Sequence, residues 1–408
     1  MRLKHGLHLA YCTNIHRGET WTETLAALER HTLAVRDRVS PADPYAIGLR
    51  LSHQAACELS DRQTLLQFQR WLDRQNCYVF TINGFPYGPF HGTRVKEHVY
   101  QPDWTTRERL EYTNRLFDLL SQLAPPDVEG SVSTVPCSFK DFIHSEAQER
   151  AMRGQLWRCV EHIAGLCERS GRSLHLGLEP EPLCYLETSD ETVRFFDRLR
   201  DDHPRDERLN SHLGVNYDNC HLAVEFEEPA DVLRKFSDHQ IRVSKLHFSS
   251  ALKVIPTPGV RAALKSFLDP VYFHQVIARK SDGTITRYKD LDLALAAPAP
   301  KASDSGEPSA EREEWRIHFH VPLHCRPTAL FDTTADHILG VMDHLQANPR
   351  LCSHLEMETY TWEVLPPEMK NRNVVDQLVS EYDWTLRHLA ERGLADLPET
   401  LPAQPLRS

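Results

Sequence analysis

The stretch HLGLEPEP, residues 175–182, is a short apolar run that stops on two carboxylates bracketed by prolines. His175, Leu176, Gly177 and Leu178 read as a buried strand, and Glu179 and Glu181 stand where that strand leaves the core. Carboxylates are almost never buried unless they are paired or bind a cation. The reading therefore turns on whether other strands end in the same way. Seven more runs have strand character: GLHLAYC (6–12), YAIGLRL (45–51), CYVFTIN (77–83), GSVSTV (130–135), HLGVNYD (212–218), RVSKLHF (242–248) and SHLEMET (353–359). Each is followed by a helical pattern.

Eight strands alternating with helices predict a parallel sheet, and eight βα units close most naturally into a barrel. The expected fold is α/β, a (β/α)8 TIM barrel, with an open doubly wound sheet as the alternative. No G-x-G-x-x-G follows the first strand, so no nucleotide cofactor is expected. Thr105 with Glu108, and Thr188 with Glu191, have capping-box spacing, and Gly171 marks the end of a long helix before the fifth strand.

Residues 251–316 break the rhythm and read as a long insertion between strands seven and eight. VIARKSDGTITRYKD within it predicts a hairpin about Asp282–Gly283. Residues 297–314, rich in Pro, Ser, Ala and charge, are expected to be disordered. The chain reads as one barrel domain over 1–395 with a loose tail, 396–408.

The net charge of −11 over 408 residues argues against general nucleic-acid binding. The N-terminal stretch has no signal-peptide pattern and no apolar run is long enough to span a membrane. Ten scattered cysteines without a C-x-x-C pair fit a reducing, cytoplasmic setting.

In a barrel the chemistry sits at the C-terminal ends of the strands. Strands five to eight end at Glu179, Asp218, His247 and Glu358. Any one of these alone is most often a surface carboxylate, a turn residue or a satisfied histidine. Four at consecutive strand ends form a complete ligand set for one divalent ion, Mn²⁺, Mg²⁺, Co²⁺, Fe²⁺ or Zn²⁺. Without thiolates, the set argues against a purely structural zinc site. Cys220 reads as filler, and Glu181 as a salt-bridging residue on the barrel rim.

Strand-end Glu, D-x-x-H, K-x-H and E-T together resemble the xylose isomerase-like TIM-barrel superfamily of sugar isomerases, ketose 3-epimerases, inosose dehydratases and endonuclease-type apurinic nucleases. YCTNIHRGETW (11–21), TINGFPYGPFHGTRVKEHVYQPDW (81–104), HFHVPL (318–323) and ETYTWEVLPP (358–367) resemble, more narrowly, the EboE family, named for a role in metabolite traffic. The resemblance implies that Glu179 and Glu358 bind metal and move protons, that Asp218 and His247 complete the ligands, and that His221 contacts substrate or a second metal. Glu181 stands where xylose isomerases carry a lysine, which counts against hydride-shift isomerisation. The fourth strand ends without a histidine, which counts against a three-zinc nuclease site.

His318 and His320 fall on one side of their strand, as ligands or substrate contacts. Asn14, His16, His53, Asn83, Tyr87, His91, Lys96, Lys140 and Arg326 follow strand ends as candidate substrate-binding groups, with Phe85, Phe90, Trp104 and Trp362 as an apolar wall. The leading expectation is metal-dependent isomerase or epimerase chemistry on a small polar metabolite. The alternatives are phosphodiester hydrolysis, and non-catalytic binding or transfer alongside partner proteins of a transport pathway.

Overall fold

The computed structural model describes residues 1–90, 96–269, 271–298, 313–365 and 372–397. Seven strands come first: β1 (His8–Tyr11), β2 (Tyr45–Arg50), β3 (Cys77–Asn83), β4 (Gly130–Thr134), β5 (Leu174–Leu178), β6 (Leu213–Asp218) and β7 (Arg242–Phe248). Five strands of the insertion follow: β8 (Ser250–Val254), β9 (Val276–Lys280), β10 (Ile285–Tyr288), β11 (Glu313–Val321) and β12 (Asp332–Thr333). β13 (His354–Met357) then returns to the first sheet, whose parallel order is β1-β13-β7-β6-β5-β4-β3-β2. A bridge from Cys12 to Gly48 brings β1 against β2 and completes the (β/α)8 barrel. All eight strand-like runs of the sequence are barrel strands. Their residues are buried on both faces, apart from Arg242, because helices cover the outside.

The local signals mostly act as their chemistry requires. Thr188 and Glu191 form a capping box on Ser189–Asp202, and Gly171 ends Glu146–Ser170 at φ +67°. The helix Arg107–Leu123 starts one residue later than the Thr105–Glu108 spacing predicts. Thr106 takes the Arg109 N–H, while Thr105 is held by the Asp103 carboxylate.

The insertion is a five-stranded sheet in the order β10-β9-β11-β8-β12. The hairpin forms about Gly283, at φ +86°, with Asp282 Oδ1 accepting the Thr284 N–H. The excursion is longer than the expected 251–316. Trp315, Ile317, Phe319 and Val321 give β11 a buried face, and it pairs with β8 and β9 rather than leading back to the barrel. The disorder expected for 297–314 lies, except at its ends, outside the described residues, as does the tail beyond 397; Glu313 and Glu314 open β11. No helix among the described residues is long and apolar enough to cross a membrane.

The helix Val374–Glu391 closes over the barrel wall, with Tyr382 Oη and Tyr45 Oη 2.9 Å apart. Its Glu381 is fully buried, accepts from Thr359 Oγ1 at 2.7 Å, and is pushed up to about 7 by burial. The folded chain keeps a proton that the unfolded chain has lost at that pH. The stabilisation is therefore present at the ordinary carboxylate pKa and is lost as pH rises to about 7. Glu381→Gln should flatten the fall in stability between pH 5 and 8 by on the order of 3 kcal/mol, read from urea unfolding. Identical pH slopes in the two proteins would contradict this.

Candidate metal centre

β5, β6, β7 and β13 lie side by side, so the residues at their ends project onto one point above the barrel. Glu179, Asp218, His247 and Glu358 are all buried and offer ligand atoms within 4.8 Å of one another. His247 Nδ1 stands 3.3 Å from Glu179 Oε1, 3.4 Å from Asp218 Oδ2 and 3.5 Å from Glu358 Oε2.

Each carboxylate has one oxygen tied down and the other aimed at this centre. Asn216 Nδ2 donates to Glu179 Oε2 at 2.7 Å. Ser249 Oγ and the His221 N–H donate to Asp218 Oδ1, while Asp218 Oδ2 has no hydrogen-bond partner. Asn14 and Asn83 donate to Glu358 Oε1 at 2.7 and 3.2 Å. On the far side of the imidazole, His247 Nε2 and Lys245 Nζ both donate to Glu356 Oε2 at 2.6 Å. Orientation of a ligating imidazole by a carboxylate on its other nitrogen is the arrangement metal sites require.

The charges of the centre are strongly coupled. Burial works to neutralise His247, but Glu358 and Glu179 outweigh it and push its pKa well above the imidazole range. Burial raises Glu358 to about 8, against His247 and helped by Glu179 and Asp218. Lys245 overcomes burial to hold Glu356 down at about 2. Four carboxylates thus share one ammonium and one imidazole in a dry site. The donor set, three carboxylates with one imidazole nitrogen, fits a hard or borderline divalent cation.

A narrow cavity of about 80 Å³ opens on these groups. Asn14, Asn83, Glu179, Glu181, His221, His318 and Glu358 supply its polar lining, with Lys96 at the side. Phe85, Phe90, Tyr100, Tyr272, Phe273 and Tyr360 supply its wall. Glu181 is not a rim salt bridge: it is buried, accepts from Tyr100 Oη at 2.7 Å, and burial lifts its pKa to about 7. The turn carried by Pro180 and Pro182 folds it inward beside His221 and His318.

His221, His318 and His320 share one tautomeric pattern. Their Nδ1 atoms donate to Pro180 O, Gln275 Oε1 and Glu358 O at 3.0, 2.8 and 3.1 Å; Nε2 of His318 and of His320 has no hydrogen-bond partner, and His221 Nε2 stands 3.8 Å from Asp218 Oδ1. Two further groups of potential ligands follow, Asp218–His221–His320 and Glu181–His221–His318. Cys220, also buried, is within ligand distance of His318 and His320.

The remaining candidates lie elsewhere. His16 is bonded through Nε2 to Tyr11 Oη at 2.9 Å and stacks on His31. It borders a different groove, together with Trp362. His53 stacks on Tyr87 with ring centroids 4.6 Å apart, and neither lines the cavity. Lys96 is neutralised by Asp290, and Lys140 by Glu187 and Glu191. Trp104 is core, donating to Thr134 Oγ1 at 3.2 Å, and Arg326 is exposed. His91 lies outside the described residues.

The sequence reading missed the support beneath the ligands. Asn216, Lys245 and Glu356 each precede a ligand by two residues, in N-x-D, K-x-H and E-x-E, and so share its strand face. That period-two pairing was the available signal. Tyr100, Tyr272, Phe273 and Tyr360 had none, because they reach the cavity through the insertion and loops.

No protein-family model matches the chain, and no curated protein does. Among solved structures, a xylose isomerase-like TIM barrel protein from Mycobacterium smegmatis in complex with magnesium aligns with a TM-score of 0.52 at 12% identity, over 96% of this chain and 99% of that one. An L-ribulose 3-epimerase aligns with a TM-score of 0.49 at 11% identity, over 95% of each chain. The IOLI protein with a bound zinc atom aligns with a TM-score of 0.47 at 12% identity, over 95% of this chain and 99% of that one. The likeness to the first of these shows a shared TIM-barrel fold and, at 12% identity, the fold alone.

Gly48 tests how tightly the support is built. A Cβ there would stand 2.0 Å from Glu356 Oε1 and 2.6 Å from Tyr11 O. Gly48→Ala should cost about 1–3 kcal/mol by overpacking. Denaturant unfolding measures it, and a variant as stable as the wild type would show that Glu356 is not fixed.

Proposed function

We propose that the chain is a divalent-metal-dependent enzyme of the isomerase or epimerase type, acting on a small polar metabolite. The observation that carries this reading is the pairing within each carboxylate: one oxygen tied to an amide or hydroxyl, the other turned toward His247 Nδ1. Such a site is preorganised for an ion held by Glu179, Asp218, His247 and Glu358. When bound, the ion would polarise a substrate carbonyl and stabilise the negative charge that proton removal from the adjacent carbon places on its oxygen. Glu179 and Glu358 then have the roles of base and acid, one taking the proton next to the carbonyl and the other returning it. Asn14 and Asn83 hold the Glu358 carboxylate in place through this exchange. The aromatic wall excludes water and favours a metabolite with one apolar face. The EboE-like strings supply the setting: an enzyme of a metabolite-traffic pathway, with partner proteins of that pathway.

Elemental analysis of the purified chain tests this. Asp218→Asn and Glu358→Gln should each lose one divalent ion per chain relative to the wild type, whereas Glu181→Gln should lose none. Unchanged metal content in Asp218→Asn and Glu358→Gln would sink the metal reading. Loss of that ion in Glu181→Gln would mean that the two glutamates of LEPEP were assigned the wrong way round.

The unpartnered Nε2 atoms of His318 and His320, with His221 beside them, favour a second reading, a binuclear centre suited to phosphodiester hydrolysis. The distinguishing result is the ion count of His320→Ala. Loss of one ion while the quartet stays loaded supports the binuclear centre, and an unchanged count leaves the mononuclear one.

A further inference from the structure

The opposite, N-terminal end of the barrel holds a second convergence of ligand atoms. Glu129, immediately before β4, His175 at the start of β5 and His354 at the start of β13 bring potential ligand atoms within 4.8 Å of one another. The two imidazoles are buried, with ring centroids 5.3 Å apart. Neither nitrogen of His175 has a hydrogen-bond partner, and its Nε2 stands 3.6 Å from Glu129 Oε2. His354 Nε2 is likewise unpartnered.

The surrounding groups orient these three side chains. His354 Nδ1 meets Ser131 Oγ at 2.7 Å, which leaves Nε2 facing His175. Arg242 Nη2 donates to Glu129 Oε2 at 2.6 Å and Ser173 Oγ to Oε1 at 3.3 Å, holding the carboxylate at the mouth of the pair. A cavity of about 480 Å³ opens on the Glu129 side, lined by His8, Glu129, Arg242 and Ser353 among others. A buried imidazole with both nitrogens unmet carries a desolvation cost that no hydrogen bond offsets. Hydrophobic residues would fill this position at no such cost.

We propose that Glu129, His175 and His354 form a second divalent-metal site, of the zinc class, on the barrel floor. Two imidazoles and one carboxylate are a borderline donor set. The ion would join the β4–β5 side of the barrel to β13, three strands away around the ring. Active chemistry in such barrels belongs to the other end, so no catalytic role is assigned to this ion. The proposal does not depend on the function assigned to the upper site.

Zinc alone is the probe. The full chain is stripped with a chelator, reloaded with Zn²⁺, freed of excess by gel filtration and counted by elemental analysis, with circular dichroism as the check on folding. Glu129→Gln and His175→Gln should each bind one zinc per chain fewer than the wild type, and zinc should raise the melting temperature of the wild type more than theirs. Glu358→Gln should keep the floor ion. If His175→Gln does not fold, Glu129→Gln decides alone, because its carboxylate is partly exposed. Wild-type zinc content in Glu129→Gln would overturn the proposal. So would loss in Glu129→Gln together with full content in a folded His175→Gln, which would reveal a surface ion on the carboxylate.

Discussion

The upper site depends on one imidazole edge. His247 Nε2 is committed to Glu356, so Nδ1 points the other way, into three carboxylates 3.3 to 3.5 Å from it. All of these groups are out of water. A buried charge costs several kcal/mol even after relaxation, and repulsion between like charges adds to it. The Lys245–Glu356 pair settles its own account inside the barrel and leaves Glu179, Asp218 and Glu358 unbalanced. A proton shared with His247 relieves part of this, and a divalent cation relieves more while satisfying Asp218 Oδ2, which has no other partner.

The scaffold bends to that constraint. Gly48 is side-chain-free where Glu356 needs space, and Gly177 lets β5 approach Asn216, whose backbone N would lie 3.0 Å from an added Cβ. The amides of Asn14, Asn83 and Asn216 come from three different strand ends and each holds one carboxylate oxygen. The insertion then adds an imidazole pair on β11 and, with Tyr272 and Phe273, one part of the aromatic wall that the loops after β3 and β13 complete. Charge is concentrated by the barrel, and water is kept out by the addition to it.

Much of the fold was legible in the sequence because barrel strands buried on both faces give short runs rich in apolar residues, such as LHLGL in β5 and CYVFTIN in β3, that alternate with helical patterns. The convergence of Glu179, Asp218, His247 and Glu358 was legible because these side chains stand at the ends of neighbouring strands. Glu181 was misread as a rim residue because two prolines conceal the turn that folds it inward. His16 and His53 carried the same strand-end signal as Asn14, yet they pack on His31 and Tyr87. Position after a strand does not say whether a side chain turns toward the axis or the helices. The insertion's extent was hidden by its strands, which pair with one another at long range and leave no periodic trace in the linking segments.

The most direct measurement is anomalous diffraction from a crystal soaked in Mn²⁺. The account predicts a peak bounded by Glu179, Asp218, His247 Nδ1 and Glu358, at ordinary metal–oxygen and metal–nitrogen distances of about 2.0 to 2.3 Å. A fully soaked crystal with no anomalous density among those four residues, and His247 still bonded to the carboxylates directly, would contradict it.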